Sequence, residues 1–208
     1  MFFLITGVTF LAVISLGYMF IEVTEEKENQ KMWKKAAEKL GLTFQPAFFV
    51  RLQNIAGTYQ GVKIKLYEVV LEHENMSTTY TNYVKAHFNK KEWKSIKIVR
   101  YEAAEKLAIA FGGADIKVDH PAFDERLRIA AKNIDESVLA TLRRSDVQRR
   151  ILQLESDYFF YINNGVLELR WSAMFESTEE ILTLAQDAVD LVNLLESSHR
   201  PQEASAGF

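Results

Sequence analysis

The feature that most constrains this chain is an uncharged, mostly apolar run over residues 2–21. As a helix with a rise of about 1.5 Å per residue, such a run spans about 30 Å, the thickness of a bilayer's hydrocarbon core. It has almost no polar face, so it is unlike a core helix. No Lys or Arg precedes it and its end offers a poor cleavage site, which disfavours a signal peptide. We therefore predict a transmembrane anchor over residues 1–21.

The charges around the run predict its orientation. No basic side chain precedes it, whereas several lysines, interleaved with glutamates, follow it: Lys27, Lys31, Lys34, Lys35 and Lys39. The positive-inside rule places such a flank in the cytoplasm. We expect a single-pass membrane protein with a soluble, cytoplasmic domain over residues 22–197 and a flexible tail over residues 198–208.

Composition excludes several classes of function. The chain lacks cysteine, which excludes disulfides, cysteine zinc sites and thiol catalysis. Its formal net charge of −3 gives no general attraction to nucleic acid, so we predict no nucleic-acid partner.

Periodicity predicts an α+β fold, with an antiparallel sheet or sheets packed with helices. A first helix is predicted over residues 25–40, with Gly41 as its cap. Val62, Ile64 and Leu66 alternate with lysines, and Asn164-Gly165 is a strong hairpin signal. Strands are predicted over residues 57–66, 78–88, 95–100, 123–129, 158–162 and 166–171. A Gly-Val step in each half leaves open two similar lobes.

Capping patterns predict the later helices. Asp135 precedes a helix that runs to Leu142. Ser145 and Ser177 each begin a Ser-x-x-Gln/Glu capping box. The second box opens a long helix whose apolar face extends over residues 181–195.

One polar cluster has the residue types of a reactive site: Asp115, Asp119, His120 and Asp124. Its carboxylates and imidazole could bind a hard metal ion or act as a general base. The spacing fits better a surface turn in which Asp119 caps the chain near Pro121 and Asp124 opens the next strand. His73, His87, His120 and His199 lack the spacing of paired ligands, and no phosphate loop or nucleophile elbow occurs. No residue is therefore assigned a catalytic, cofactor-binding or metal-binding role.

Two arginine pairs, Arg143-Arg144 and Arg149-Arg150, indicate a solvated helix surface, with an acidic partner or a phosphate as the alternative. The tryptophans Trp33, Trp93 and Trp171 are predicted to pack in the core.

The segment Asp-His-Pro-Ala-Phe-Asp over residues 119–124 precedes a Leu-rich helix pair and the Asn-Gly hairpin. Together these resemble a family of bacterial membrane-anchored domains. The resemblance covers about residues 115–195, and it departs at Leu127, where the family often has Phe. It implies an architecture and carries no activity.

We therefore predict a non-enzymatic, membrane-anchored interaction or scaffold domain that binds the membrane through residues 2–21 and has a protein partner. One alternative is an anchored hydrolase or metal-dependent enzyme that uses the Asp115–Asp124 cluster. Another is a domain that binds a lipid or small apolar ligand between the sheet and the last helix. No cofactor is implied.

Overall fold

A computed structural model of the chain describes residues 27–47, 53–72, 78–90, 92–93, 96–100, 115–131 and 134–197. The predicted anchor over residues 1–21 and the predicted tail over residues 198–208 lie outside these ranges. Within them, no helix has the length and apolar character needed to cross a membrane.

The described residues form a mixed α+β structure around one antiparallel sheet. The helices are α1 (27–40), α2 (Pro121–Arg126), α3 (Glu136–Leu142), α4 (Ser145–Asp157) and α5 (Thr178–Glu196). The strands are β1 (Thr43–Gln45), β2 (Asn54–Tyr59), β3 (Val62–Glu72), β4 (Thr78–His87), β5 (Ile96–Arg100), β6 (Asp115–Ile116), β7 (Leu127–Ala131), β8 (Phe159–Asn163) and β9 (Val166–Trp171). Their order across the sheet is β1-β2-β3-β4-β9-β8-β5-β7-β6. The predicted α+β class is confirmed.

The helices cover one face of the sheet, which we call the inner face. Helix α5 packs across β3, β4 and β9, and α4 packs against β8. Val62, Ile64 and Leu66 point into this core as predicted, each no more than 1% exposed. One main core cluster contains side chains from both halves of the chain. The two predicted lobes are therefore joined by a single sheet and a common core.

Two tight turns set the hairpins that flank the centre of the sheet. Asn164 and Gly165 have φ values of 51° and 76°, which a type I′ hairpin turn requires. Gln60 and Gly61 adopt the same geometry, at 48° and 81°. The prediction of one strand over residues 57–66 was therefore wrong at this point, where the chain reverses between β2 and β3. Glutamine rarely adopts positive φ, so its presence did not indicate a turn at this position.

The predicted strand over residues 123–129 was also wrong in its first half. Pro121 opens helix α2, where its missing N–H removes no helical hydrogen bond. The His120 side chain caps the helix by accepting from the Phe123 N–H at 3.2 Å. The strand begins only at Leu127.

Three of the four predicted caps are present, among them Gly41, which follows α1 with a φ of 66°, and one is wrong. The Asp135 carboxylate accepts from the Ser137 N–H at 2.8 Å, and the Ser177 hydroxyl accepts from the Glu180 N–H at 3.3 Å. Helix α4 instead begins at Ser145 itself, and no side chain caps it. Asp146 in its first turn forms an ion pair with Arg144 at 2.6 Å.

A buried carboxylate on α4 links this helix to strand β5 and to helix α2. Glu155 on α4 is 4% exposed and lies 2.6 Å from Arg100 Nε on β5. It also pairs with Arg126 at the end of α2. Two arginines therefore compensate this buried charge. Removing the partner of a buried carboxylate costs about 3–5 kcal/mol of stability.

Candidate interaction surface

Of the four residues in the predicted reactive cluster, the side chains of Asp119, His120 and Asp124 each have a separate partner in or beside the turn. Both oxygens of Asp124 accept backbone N–H groups, from Val118 at 3.0 Å and from His120 at 3.1 Å. The Asp119 side chain is 80% exposed and lies 3.5 Å from Arg143. Asp115 stands on the edge strand β6. The segment is a turn, but Asp124 rather than Asp119 closes it.

The described residues contain no grouping of three or more His, Asp or Glu side chains that could hold a metal ion. The metal-dependent alternative therefore gains no ligand set from this part of the chain.

The arginine patch is largely neutralised by neighbouring acids. Arg144 pairs with Asp146, and Arg150 pairs with Asp187, each at 2.6 Å. An open cleft of about 430 Å³ lies between α4 and α5, and its lining mixes both charges: Asp146, Arg149, Arg150, Gln153, Asp190 and Leu194. Tyr158 donates to Asp187 at 2.8 Å, and burial followed by this hydrogen bond raises the pKa of the phenol.

The inner face of α5 is filled by core packing. Leu184, Val192 and Leu195 are at most 2% exposed and belong to the same cluster as the strand side chains. Trp33 and Trp93 are buried in this core as predicted, and Trp171 is partly buried against it.

The opposite side of the sheet, which we call the outer face, has a different character over β3, β4, β9 and β8. The helices of the described chain bury their apolar side chains in the inner core and leave this side to the strands. Strand pairing aligns four of its side chains in one row, Tyr67–Tyr83–Arg170–Phe159. We call this row the cation–aromatic ladder.

The members of the ladder are in direct contact. The rings of Tyr67 and Tyr83 stack with centroids 4.9 Å apart and an interplanar angle of 2°. The guanidinium carbon of Arg170 lies 5.2 Å from the Tyr83 centroid and 4.7 Å from the Phe159 centroid. Lys65 and Lys85 place their ammonium groups 5.7 and 5.5 Å from the Tyr67 centroid. Each of the three rings thus has at least one neighbouring side chain in contact with it.

A second row, Lys65–Lys85–Glu168, runs beside the ladder. Glu168 is compensated by Lys85 at 3.2 Å and by Arg170 at 2.7 Å. Burial lowers the pKa of Lys85, but its hydrogen bonds to Tyr67 and Glu168 outweigh that effect and leave the pKa above its usual value. Lys85 therefore stays charged at neutral pH.

A third row begins with Lys63 opposite His87. Burial, followed by the charges of Lys63 and Lys85, lowers the pKa of His87. In these rows the cations of Lys63, Lys65, Lys85 and Arg170 face one anion, Glu168. The outer face is locally positive although the whole chain has a formal net charge of −3.

Sequence reasoning did not find this surface. The alternation with Val62, Ile64 and Leu66 placed Lys63 and Lys65 on the other face of a strand, and His87 was given no ligand role. The signal in the sequence is the alternation Lys63, Lys65, Tyr67 on a single strand. Arg170 joins it only because β4 pairs with β9.

No protein-family model matches the chain, and neither the curated proteins nor the solved structures contain a match to it. Function is therefore inferred from the geometry of the described residues.

Proposed function

We propose that this protein is a membrane-anchored, non-enzymatic interaction domain that binds an acidic segment of a partner protein through the outer face of its sheet. The observation that carries the proposal is the cation–aromatic ladder with its flanking lysines. The anchor is the apolar run over residues 2–21, and the domain would face the cytoplasm.

The charge balance of the outer face supports an anionic partner. Lys63 and Lys65 are exposed, and Arg170 keeps 37% of its side chain accessible. A positive patch attracts acidic segments of other proteins and raises their rate of association. Because these charges lie at the surface, the attraction weakens as salt rises.

The orientation of the rings favours a protein over a single-stranded nucleic acid. Stacking with a nucleobase needs a free ring face. One face of Tyr83 packs on Tyr67, and Arg170 lies over the ring as well. The accessible groups beside the rings include N–H and O–H donors, which suit carboxylates through charge-assisted hydrogen bonds.

The test is a binding titration of the full-length chain in nanodiscs of neutral lipid. The probe is a fluorescent peptide of alternating Glu and Gly, with a Gln-Gly peptide as the uncharged reference. Lys65→Glu reverses one charge of the outer face, and its new carboxylate would lie opposite Lys85, so the fold is not weakened. Lys34→Glu makes the same change at an exposed position of α1, away from the outer face, and is the matched control.

We expect the acidic peptide to bind to the wild type, with an affinity that falls as salt is raised from 50 to 300 mM. The Lys65→Glu variant should bind at least tenfold more weakly, since one attraction becomes a repulsion, while Lys34→Glu should match the wild type. Equal losses in the two variants, or no binding at 50 mM salt, would overturn the proposal.

A further inference from the structure

One part of the outer face brings basic side chains together across two strands. Lys65 stands directly opposite Lys85, and the adjacent pair places Lys63 opposite His87. We call these four side chains the cation quartet; His87, whose pKa is lowered by burial and by the charges of Lys63 and Lys85, is a cation only when it is protonated. Directly opposed like charges destabilise a sheet by roughly 0.2–1 kcal/mol. The Lys65–Lys85 pair therefore carries a stability cost for which the inner core gives no reason.

The surroundings of the quartet leave the charges of Lys63 and Lys65 uncancelled. On the β2 side, Lys63 faces Thr58 and Lys65 faces Ala56, which are both neutral. On the β9 side, His87 faces Val166, and Lys85 faces Glu168. Glu168 is shared with Arg170, so these two cations already compensate its single negative charge.

The spacing of the quartet suits one compact anion with more than one charge. Opposed Cβ atoms lie about 5 Å apart, and successive outward residues of a strand lie about 6.6 Å apart. Lysine stems are long enough to bring their ammonium groups together from such positions. A phosphate monoester carries about −1.5 to −2 charges at neutral pH and three acceptor oxygens, whereas a carboxylate carries one charge.

We infer that the cation quartet is a phosphate-binding site, and that the acidic segment bound by the outer face carries a phosphorylated side chain there. This inference rests on the proposed function, because it names the chemistry of the same partner. Lys63, Lys65 and Lys85 would bind the phosphate oxygens as point charges, and the His87 imidazole would add a donor when protonated.

The test uses three acidic peptides that differ at one central position, which is phosphoserine, glutamate or serine. They are titrated into the full-length chain in neutral-lipid nanodiscs. Lys63→Gln removes one member of the quartet, and Lys34→Gln is the matched control on α1. Inorganic phosphate serves as a second probe, followed through the NMR resonances of the His87 ring.

We expect the phosphoserine peptide to bind about tenfold more tightly than the glutamate peptide. This preference should be lost in Lys63→Gln and kept in Lys34→Gln, and inorganic phosphate should shift the His87 resonances. If phosphoserine and glutamate peptides bind equally well, the phosphate site is refuted and the proposed function stands. If no peptide binds, both are refuted. If phosphatidic acid vesicles bind while phosphopeptides do not, the assignment to a protein segment is refuted.

Discussion

Replacement of Arg170 by methionine tests whether the cation–aromatic ladder stabilises the fold. The guanidinium contacts two rings, and such contacts contribute about 0.5–1 kcal/mol each at accessible positions. Arg170 also forms an ion pair with Glu168, and the two side chains are 37% and 11% exposed, respectively. Solvent screening limits the contribution of this pair to about 0.2–1 kcal/mol. Methionine keeps most of the apolar stem. The expected loss is about 1–3 kcal/mol in the free energy of unfolding.

The Glu168 carboxylate keeps Lys85 as a partner in the variant, so the expected loss contains no cost for an unpaired buried charge. The assay is urea unfolding of the full-length chain in neutral-lipid nanodiscs, with thermal unfolding as a second readout. For a domain of this size, each kcal/mol lowers the Tm by roughly 2–4 °C. Arg149→Met, an exposed change on α4, is the control and should stay within about 0.5 kcal/mol of the wild type.

A double-mutant cycle separates the ring contacts from the ion pair. Tyr83→Leu removes one ring that Arg170 covers, so the two changes together should cost about 0.5–1 kcal/mol less than the sum of their separate effects. If Arg170→Met is as stable as the Arg149→Met control, or if the effects of Arg170→Met and Tyr83→Leu are additive, the contacts of the ladder do not stabilise the fold.

Two further predictions concern the carboxylates. Burial raises the pKa of Glu68 above its usual value of 4.5, against the hydrogen bonds from Gln53 and Asn29. The folded state therefore holds the Glu68 proton more tightly than the unfolded state, and the stability that Glu68 contributes falls as pH rises above about 4.5. Glu68→Gln should remove this fall, so its unfolding free energy should gain on the wild type from pH 4 to 7; parallel curves would contradict the sign. Asp124→Ala should cost about 2–3 kcal/mol, because two backbone N–H groups lose a charged acceptor. Asp119→Asn, which keeps a residue type that tolerates the positive φ of 62° at this position, is its control in the same denaturation series. Equal losses in both variants would rule out a structural role for the Asp124 carboxylate.

Local chemistry explains which elements could be predicted from the sequence. The turn at Asn164-Gly165 needs two residues with positive φ, and those residue types adopt it readily. Asp135 and Ser177 cap helices within three residues of themselves, so no distant contact is needed. The turn at Gln60-Gly61 and the short helix that begins at Pro121 were missed, because a weak alternation of apolar residues continues through both segments.

Sequence alone determined the apolar run over residues 2–21, the α+β class and the inward set of Val62, Ile64 and Leu66. Each of these depends on neighbours in the chain or on a short period. Only the tertiary structure decided that Asp124 serves as a backbone clasp, since its partners depend on how the turn folds.

The outer face is the clearest case of a tertiary decision. Tyr83 and Arg170 are far apart in the chain and meet because β4 pairs with β9 in one register. A shift of one residue would send Arg170 to the inner face. Strand alternation fixes which side chains of one strand share a face, but strand pairing fixes which charges and rings from different strands meet, and the sequence does not encode that pairing locally.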